Sequence, residues 1–364
     1  MKPLKVLQST TKATSTVGTY PTACIGGVDV NCLNSFYNIT IDKSAVAAAG
    51  PNKLLQGVYE SINQTYSVAD LTTFQQSQNV IVKPVYEVYC NGKNFTTPTP
   101  NECQFVGPCT DEDSCGEANL DVQYIMGIAQ NVSTAVWYVS GSWDDFVTSL
   151  SNGTQPPNVI SISYGGPETQ VSISQFETFD TEAIKLGLQG TTIVVSSGDD
   201  GVAGYEARTS SIFCGYNAQF PASSPWVTAV GATQFSSAGE EIACQGDQGG
   251  VITSGGGFSA YYSQPTWQQM AVMDYFSNLT FVPYPGYNIS GRGYPDISLL
   301  GFNYTIVVNG APTSVSGTSA SAPVFAAMVS LINANRLAIS SNASLLGWIN
   351  PALYEVFANQ GQLV

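Results

Sequence analysis

Residues 158–196, NVISISYGGPETQVSISQFETFDTEAIKLGLQGTTIVVS, predict a strand, a helix and a second strand in direct succession. Residues 158–164 and 191–196 are β-branched runs of the kind that is buried in parallel sheets. Residues 172–188 repeat apolar side chains with helical spacing, and Gly190 is placed to end that helix. The predicted buried face of the helix consists of Phe176, Phe179, Ala183, Ile184 and Leu188.

The same alternation continues on both sides of this unit. Residues 134–140 (TAVWYVS) and 226–230 (WVTAV) predict strands, and residues 319–339 predict a long apolar helix that tolerates Pro323 near its start. We therefore expect an α/β fold with a central, mostly parallel sheet and helices on both faces. Because the chain shows no internal repeat and no low-complexity linker, residues 1–364 are expected to form a single domain.

The chain is strongly acidic, with 26 Asp and Glu residues against 11 Lys and Arg residues and a formal net charge of −15. Such a surface repels nucleic acid and anionic membranes, which argues against both as partners. An acidic medium suits it, because many carboxylates become neutral there and their mutual repulsion weakens. No apolar run reaches the roughly 18 residues that a membrane span needs. We also expect the protein to be a monomer.

Two independent counts indicate a secreted, extracellular protein. The eight cysteines are even in number and locally clustered, which fits disulfides, including a clip between Cys24 and Cys32 after an irregular lead-in over residues 1–23. Zinc binding is the competing interpretation, but the chain has no Cys-X-X-Cys pair and no histidine. The chain also carries nine Asn-X-Ser/Thr sequons, which begin at Asn38, Asn63, Asn94, Asn131, Asn152, Asn278, Asn288, Asn303 and Asn342.

The absence of histidine restricts the chemistry. Histidine is the usual general base near neutral pH, and this chain contains none. A Ser-His-Asp or Cys-His mechanism is therefore excluded. A nucleophilic serine would need a carboxylate or a lysine as its base, and a carboxylate with an ordinary pKa near ~4 works best in acid.

Ser319 lies in SGTSASAP (316–323), where Gly317 allows a tight turn before the apolar helix. A serine at a helix N-terminus faces the positive end of the helix dipole and free N–H groups, which favours a nucleophile and the oxyanion that it creates. The alternative is a simple helix cap, which is very common. On this motif alone the cap would be favoured.

Glu117 and Asp121 are four residues apart in CGEANLDVQYIMGIA and therefore share one face of a predicted helix. That face continues as Tyr124, Ile125 and Ile128, so we expect both carboxyl groups to be at least partly buried and to share a proton. The alternative is a solvated acidic helix start, with Glu117 in the first turn.

Asp199 follows the predicted strand at 191–196, in VVSSGDDGVAG. Ligands bind at the carboxyl ends of strands in open α/β sheets, and a protonated carboxyl group there could donate a hydrogen bond to an oxyanion. Turn chemistry explains the same residues, and a calcium loop at Asp199 and Asp200 is a third interpretation, although no EF-hand spacing follows.

Together these segments resemble the sedolisin family, the serine-carboxyl peptidases with a subtilisin-like fold. The resemblance implies that Ser319 is the nucleophile, Glu117 the general base, Asp121 the residue that supports it, and Asp199 the oxyanion residue. Four further stretches also match: SISYGG (161–166), FPASSPWVTAVGAT (220–233), SGGGFS (254–259) and GRGYPDIS (291–298). By similarity, the backbone around Ser163, Tyr164 and Gly165 should line the substrate cleft. The implied activity is hydrolysis of peptide bonds in acid, as a tripeptidyl-peptidase, an endopeptidase or both.

The chain also departs from the family pattern. Family members carry an N-terminal propeptide, and the N-terminus MKPLKVLQSTTK lacks a signal-peptide core, so we expect an excerpt of a longer precursor, a zymogen that binds its own propeptide. Calcium is expected in the full-length protein, with ligands beyond residue 364, and no metal ligand is assigned within the chain. Ser224 stands where relatives often have Cys, which leaves Cys214–Cys244 as the preferred pairing.

Two other classes of function remain open. A glycosidase could use Glu117 and Asp121 as its two carboxylates, although SGTSASAP and SSGDDG would then be unexplained. A non-catalytic binding protein on a peptidase fold is the second, and it is disfavoured because all four expected catalytic residue types are present.

Overall fold

In the computed structural model the chain is described over residues 21–49, 53–90, 93–95, 103–153, 155–279, 283–340 and 342–360. Within these residues the α-helices are α1 (Val30–Phe36), α2 (Lys43–Ala49), α3 (Val68–Ser77), α4 (Glu112–Ile128), α5 (Trp143–Ser151), α6 (Ile173–Leu188), α7 (Gln269–Ser277), α8 (Thr318–Ile339) and α9 (Asn350–Gln360). The strands are β1 (Leu55–Glu60), β2 (Glu87–Cys90), β3 (Lys93–Phe95), β4 (Ser133–Tyr138), β5 (Val159–Ile162), β6 (Gly166–Pro167), β7 (Thr192–Ser196), β8 (Gln219–Phe220), β9 (Thr228–Phe235), β10 (Glu241–Ala243), β11 (Gly257–Ser263), β12 (Gly291–Tyr294), β13 (Ile297–Leu300), β14 (Tyr304–Val308) and β15 (Ala311–Val315).

Most of the longer strands form one large sheet in the order β10–β9–β7–β5–β1–β4–β2–β3, and β13 also pairs with β9. The pairings of β1 with β4 and β5, of β2 with β4, and of β7 with β5 and β9 are parallel. Antiparallel pairing occurs only at the margins among the described strands of this sheet, where β10 joins β9 and β3 joins β2. The prediction of a mostly parallel central sheet is therefore confirmed.

Helices cover both faces of the sheet, as the alternation of side chains in β7 illustrates. Val194 belongs to the core that contains α4 and α8, whereas Val195 belongs to the core that contains α5 and α6. Successive side chains of a strand point to opposite faces, so β7 is buried on both sides. Among the described residues α8 alone is long and apolar enough to cross a membrane, but most of it is buried against the sheet and α4.

The predicted strand–helix–strand unit forms as β5, α6 and β7, and the Ser172 side chain caps α6. Gly190 adopts a φ of 99° just after the helix, as expected of a glycine that ends one. The predicted buried face is partly wrong, because Ile184 and Leu188 are exposed. The buried side chains instead follow a strict three–four spacing, and they are Phe176, Phe179, Ala183 and Leu186.

Disulfides form between Cys24 and Cys32, Cys90 and Cys103, and Cys109 and Cys115, so the predicted clip is confirmed. The predicted Cys214–Cys244 pairing is wrong, since both are free thiols in the described structure. Cys244 is buried and its thiol donates to the Ile252 carbonyl, whereas Cys214 is exposed on a loop. Ser224 is also satisfied without a disulfide, because its buried hydroxyl donates to Asp180 at 3.0 Å. Of the predicted lead-in, residues 1–20 lie outside the described residues.

A buried polar clamp, formed by Asp70, Asn119 and Gln123, joins α3 and α4 to the β14–β15 hairpin. Asn119 and Gln123 both donate to the Val307 carbonyl, at 3.0 and 2.9 Å, and Gln123 also accepts the Val307 N–H. Asp70 accepts the Asn119 amide and the two N–H groups of the hairpin turn at 309–310. Because β15 leads directly into α8, the clamp sets the position of α4 relative to Ser319.

Asp70→Ala is expected to lower the free energy of unfolding by about 3 kcal/mol, because three N–H groups would lose their acceptor inside the fold. Urea denaturation measures this loss, and Asp247→Ala at an exposed position is the control, expected to change stability by less than about 0.5 kcal/mol. A loss below about 1 kcal/mol for Asp70→Ala would contradict the role assigned to the clamp.

Candidate active site

A cleft of about 580 Å³ opens where α4, β15 and the start of α8 meet. It lies beyond the carboxyl ends of β5 and β7, the edge at which ligands bind in open α/β sheets. Polar groups dominate its walls, and they include Gln64, Glu112, Asp113, Glu117, Asp199, Asn303, Ser314, Ser316 and Ser319. Three of the four predicted catalytic residues therefore face one cavity.

Ser319 is the second residue of α8 and is partly exposed in the cleft. The N-cap position of this helix is Gly317, which has no side chain, so Ser319 is not the helix cap of the alternative interpretation. The Ser319 hydroxyl lies 3.4 Å from the Ser163 carbonyl oxygen. Its N–H is one of the free donors of the first helical turn, at the positive end of the dipole.

Glu117 and Asp121 share one face of α4, and the side chains that follow on that face are fully buried as predicted. The helix begins at Glu112, so Glu117 lies beyond its first turn, and Asp121 is 0% exposed. These positions contradict the alternative of a solvated acidic helix start. The Asp121 carboxylate accepts a hydrogen bond from the Ser163 hydroxyl at 2.8 Å, so Ser163 is its partner. Glu117 Oε1 is buried without a hydrogen-bond partner among the described residues.

The carboxyl groups of this site hold protons more tightly than exposed acids do. The pKa of Glu117 is raised to about 7, chiefly by burial and also by the charge of Asp199, against the opposing effect of hydrogen bonds from the Ser319 and Ser163 hydroxyls. Burial, followed by the charges of Glu60 and Glu117, raises the pKa of Asp121 well above its ordinary value. Desolvation is therefore the largest influence on the carboxyl groups of this site. The expectation that the pair shares a proton fits these shifts.

Glu60 is a further buried acid that the sequence analysis missed. It ends β1, is 1% exposed, and accepts a hydrogen bond from the Tyr164 hydroxyl at 2.8 Å. Burial raises the pKa of Glu60 well above its ordinary value, and the charge of Glu117 adds to the shift. A lone acid at the carboxyl end of an otherwise uncharged strand, LQGVYE (55–60), was the available signal.

Asp199 and Asp200 have separate environments. The Asp199 Oδ1 atom accepts the N–H of Thr318 at 2.8 Å and the Thr318 hydroxyl at 3.0 Å. Burial raises the pKa of Asp199, although these two bonds oppose the shift. Asp200 instead forms an ion pair with Arg208 at 2.5 Å. Only Asp199 lines the cleft, as the resemblance implied.

Gly317 keeps a small space open between Asp199 and Ser319. A β-carbon added to Gly317 would lie 3.3 Å from Asp199 Oδ2 and 3.5 Å from the Ser319 nitrogen. An oxygen atom in this space would thus be close to the Ser319 N–H and to a protonated Asp199. Two such donors are what an oxyanion hole requires.

The predicted substrate-binding residues Ser163, Tyr164 and Gly165 follow the end of β5. Two of their side chains contact the buried acids, because Ser163 binds Asp121 and Tyr164 binds Glu60. Gly165 is exposed, and none of the three lines the large cavity. Their contact with substrate stays a prediction.

The described residues contain no group of three or more Cys, Asp and Glu side chains placed to hold a metal ion. The Asp199 and Asp200 pair is used by Thr318 and Arg208, so it does not fit the calcium-loop interpretation.

Comparison with known proteins supports the resemblance. The profile of the subtilase family matches residues 117–350. Physarolisin of Physarum polycephalum is 35% identical over 289 residues, which cover 70% of this chain and 50% of that protein. Tripeptidyl-peptidase 1 of Canis lupus familiaris is 33% identical over 337 residues, which cover 90% of this chain and 55% of that protein. This chain therefore spans about half the length of the curated relatives it matches.

A solved structure of Pseudomonas sedolisin, a serine-carboxyl proteinase complexed with two molecules of pseudo-iodotyrostatin, has the same fold. It superposes with a TM-score of 0.61 at 23% identity, covering 88% of this chain and 84% of the other. The predicted subtilisin-like fold and the resemblance to sedolisins are thereby confirmed.

Gly317→Ala is expected to lower kcat/KM for peptide hydrolysis by about 100-fold or more, because the methyl group would occupy the space for the oxyanion. Thermal unfolding should change little, since the φ of 174° is open to any residue and the new contacts are 3.3 Å or longer. Gly215→Ala, where a β-carbon meets nothing within 4 Å, is the control. Retention of more than about a tenth of the activity would argue against this oxyanion position.

The stability of the fold is expected to fall as the pH rises from 4.5 to about 7. An acid with a raised pKa in the folded state contributes its full stability below its ordinary pKa and loses it as the pH approaches the raised value. Thermal unfolding across this range should therefore show a smaller decline in Tm for Glu117→Gln than for the unmodified protein. The exposed Glu355→Gln variant should follow the unmodified protein, and an equal decline in all three would contradict the expectation.

Proposed function

This chain belongs to the subtilase family, and we propose that it is a sedolisin-type serine-carboxyl peptidase that cleaves peptide bonds through an acyl-enzyme on Ser319. The observation that carries the proposal is the open space beside Gly317, which lies between Asp199 Oδ2 and the Ser319 nitrogen. A nucleophile, a partly buried carboxylate and two candidate oxyanion donors thus share one cleft.

In the first half of the reaction, ionised Glu117 accepts the Ser319 hydroxyl proton while Oγ forms a bond to the peptide carbonyl carbon. The resulting oxyanion accepts hydrogen bonds from protonated Asp199 and from the Ser319 N–H. Collapse breaks the C–N bond, and protonated Glu117 gives its proton to the leaving amine.

In the second half, Glu117 accepts a proton from water, and the hydroxide oxygen attacks the acyl carbon. The Oγ–C bond then breaks and Ser319 recovers its proton. Asp121 acts behind Glu117 and takes its hydrogen bond from Ser163. Its buried carboxyl group exchanges protons with Glu117 as part of one coupled cluster.

Acidic action follows from the protonation state that this scheme needs. Glu117 must be ionised while Asp199 is protonated, so the proton that these acidic groups share has to be on Asp199. Falling pH removes the charge of Glu117, whose pKa burial raises to about 7, and rising pH removes the proton of Asp199, whose pKa burial also raises. We therefore propose a bell-shaped pH profile that is highest in acid, where Asp199 keeps its proton and the ionised fraction of Glu117 supplies the base.

Secretion and glycosylation form part of the proposal. Three disulfides support an oxidising compartment. Seven of the nine sequon asparagines are exposed, and they are Asn38, Asn63, Asn94, Asn152, Asn278, Asn288 and Asn342. Maturation from a precursor whose propeptide binds the chain, a monomeric state, and calcium bound by ligands beyond residue 364 are likewise proposed.

The substrate is a peptide or protein, and two modes of cleavage are proposed. One relative is named a tripeptidyl-peptidase, which favours removal of tripeptides from a free N-terminus. Another is titled a proteinase, which favours cleavage within chains. Peptides of one sequence with free and with acetylated N-termini separate the two, because only an endopeptidase cleaves the acetylated form.

Hydrolysis of sugars is the weaker candidate. A glycosidase needs two carboxyl groups that flank the scissile bond, and Asp121 is 0% exposed. A sugar therefore could not reach that carboxyl group without opening the core.

The proposal is tested by hydrolysis of denatured globin between about pH 3 and pH 8 with the full-length protein. Ser319→Ala and Glu117→Gln are each expected to lower acid-range activity by about 1000-fold or more, because nucleophile and base act as a unit. Ser277→Ala and Glu355→Gln, both exposed, are the matched controls. Activity that survives Ser319→Ala, or that peaks above neutral pH, would overturn the proposal.

A further inference from the structure

We propose that Thr318 is a positioning residue that fixes the orientation of Asp199, so that Asp199 Oδ2 carries the proton and points at the oxyanion. The inference rests on the peptidase function proposed above. It assigns a purpose to the residue before the nucleophile in SGTSASAP, which the resemblance left without a role.

Thr318 makes two hydrogen bonds to a single oxygen of Asp199. Its N–H and its hydroxyl both donate to Asp199 Oδ1, at 2.8 and 3.0 Å. Thr318 is 1% exposed, so water does not compete for these bonds. The direction of the hydroxyl proton is also fixed, because the Gly198 N–H donates to Thr318 Oγ1 at 3.0 Å.

Two donors on Oδ1 determine where a neutral Asp199 carries its proton. An oxygen that already accepts two hydrogen bonds is best kept as the carbonyl oxygen, which leaves the O–H on Oδ2. Oδ2 is also the atom nearer to the open space, since a β-carbon on Gly317 would lie 3.3 Å from Oδ2 and 3.7 Å from Oδ1. The chain of donors therefore runs from Gly198 through Thr318 and Asp199 to the oxyanion.

Burial, hydrogen bonds and nearby charges together determine the pKa of Asp199. Burial raises the pKa of Asp199 and the two Thr318 bonds lower it, while Asp200 and Arg208 have smaller effects that raise and lower it respectively. Glu117 and the buried Cys244 thiol are the other titratable groups that sense the Asp199 charge. Loss of the Thr318 hydroxyl should therefore favour the protonated form of Asp199 at high pH, even as the orientation of the carboxyl group is lost.

The test compares Thr318→Val, which keeps the shape without the hydroxyl, with Thr318→Ser, which keeps the hydroxyl. Peptide hydrolysis is measured as kcat and KM across the pH range. Thr318→Val is expected to lower kcat by about tenfold or more with KM nearly unchanged, and to move the high-pH limb of the profile upward. The kcat of Thr318→Ser should stay within about threefold of that of the unmodified enzyme, and the high-pH limb of its profile should not move.

Asp199→Asn identifies the limb, because an amide donates a hydrogen bond without titrating, so the limb that belongs to Asp199 should disappear. Thermal unfolding shows whether each variant is folded. If Thr318→Val does not fold, Thr318→Ala takes its place. A Thr318→Val or Thr318→Ala enzyme whose high-pH limb coincides with that of the unmodified enzyme would overturn the inference. So would a Thr318→Ser enzyme as impaired as Thr318→Val. Persistent activity in Ser319→Ala would instead refute the peptidase function itself.

Discussion

The desolvation of several carboxyl groups at one edge of the sheet is the constraint on which this site depends. Glu60, Glu117, Asp121 and Asp199 gather there, and Arg208, whose charge acts on Asp199, is itself paired with Asp200. Buried acids that lack cationic partners cannot all ionise, so they divide a small number of charges among themselves. A general base and a proton donor then coexist within one cluster of like residues, which is how this chain manages without histidine.

Two helices, α4 and α8, place the acids and the serine of this site. Helix α4 presents Glu117 and Asp121 on one face and Asn119 and Gln123 on another, since residues two apart lie on nearly opposite sides of a helix. The first face forms part of the site, and the second bonds to β14. Helix α8 is largely buried against the sheet and brings Ser319 to the same edge. The hydrogen bonds between α4 and β14, together with the burial of α8, thus fix Glu117 and Ser319 relative to each other.

Much of the fold was predictable because its signals are local. The unit of β5, α6 and β7 follows from hydrophobic spacing, and the motifs around Ser319, Glu117 and Asp199 each carry their own turn or helix signal. Glu60 and Tyr164 were not predictable as partners, because they are 104 residues apart and meet only through strand order. The Cys214–Cys244 pairing failed for a related reason, since an even count of cysteines says nothing about which sulfur atoms are buried. The bonds of Thr318 to Asp199 likewise span 119 residues.

The three disulfides all lie between residues 24 and 115, and each closes a loop of 13 residues or fewer. Short loops restrict the unfolded chain only locally, by about 2 to 3 kcal/mol each in the chain-entropy account. The last of them joins Cys109 to Cys115, directly ahead of Glu117 on α4. Among the described residues, the disulfides therefore reinforce the part of the chain that carries Glu117 and not the part that carries Ser319. The base is supplied by a segment that a reducing environment would free of its cross-link, whereas the start of α8, which carries the nucleophile, is held by packing and hydrogen bonds that such an environment leaves intact.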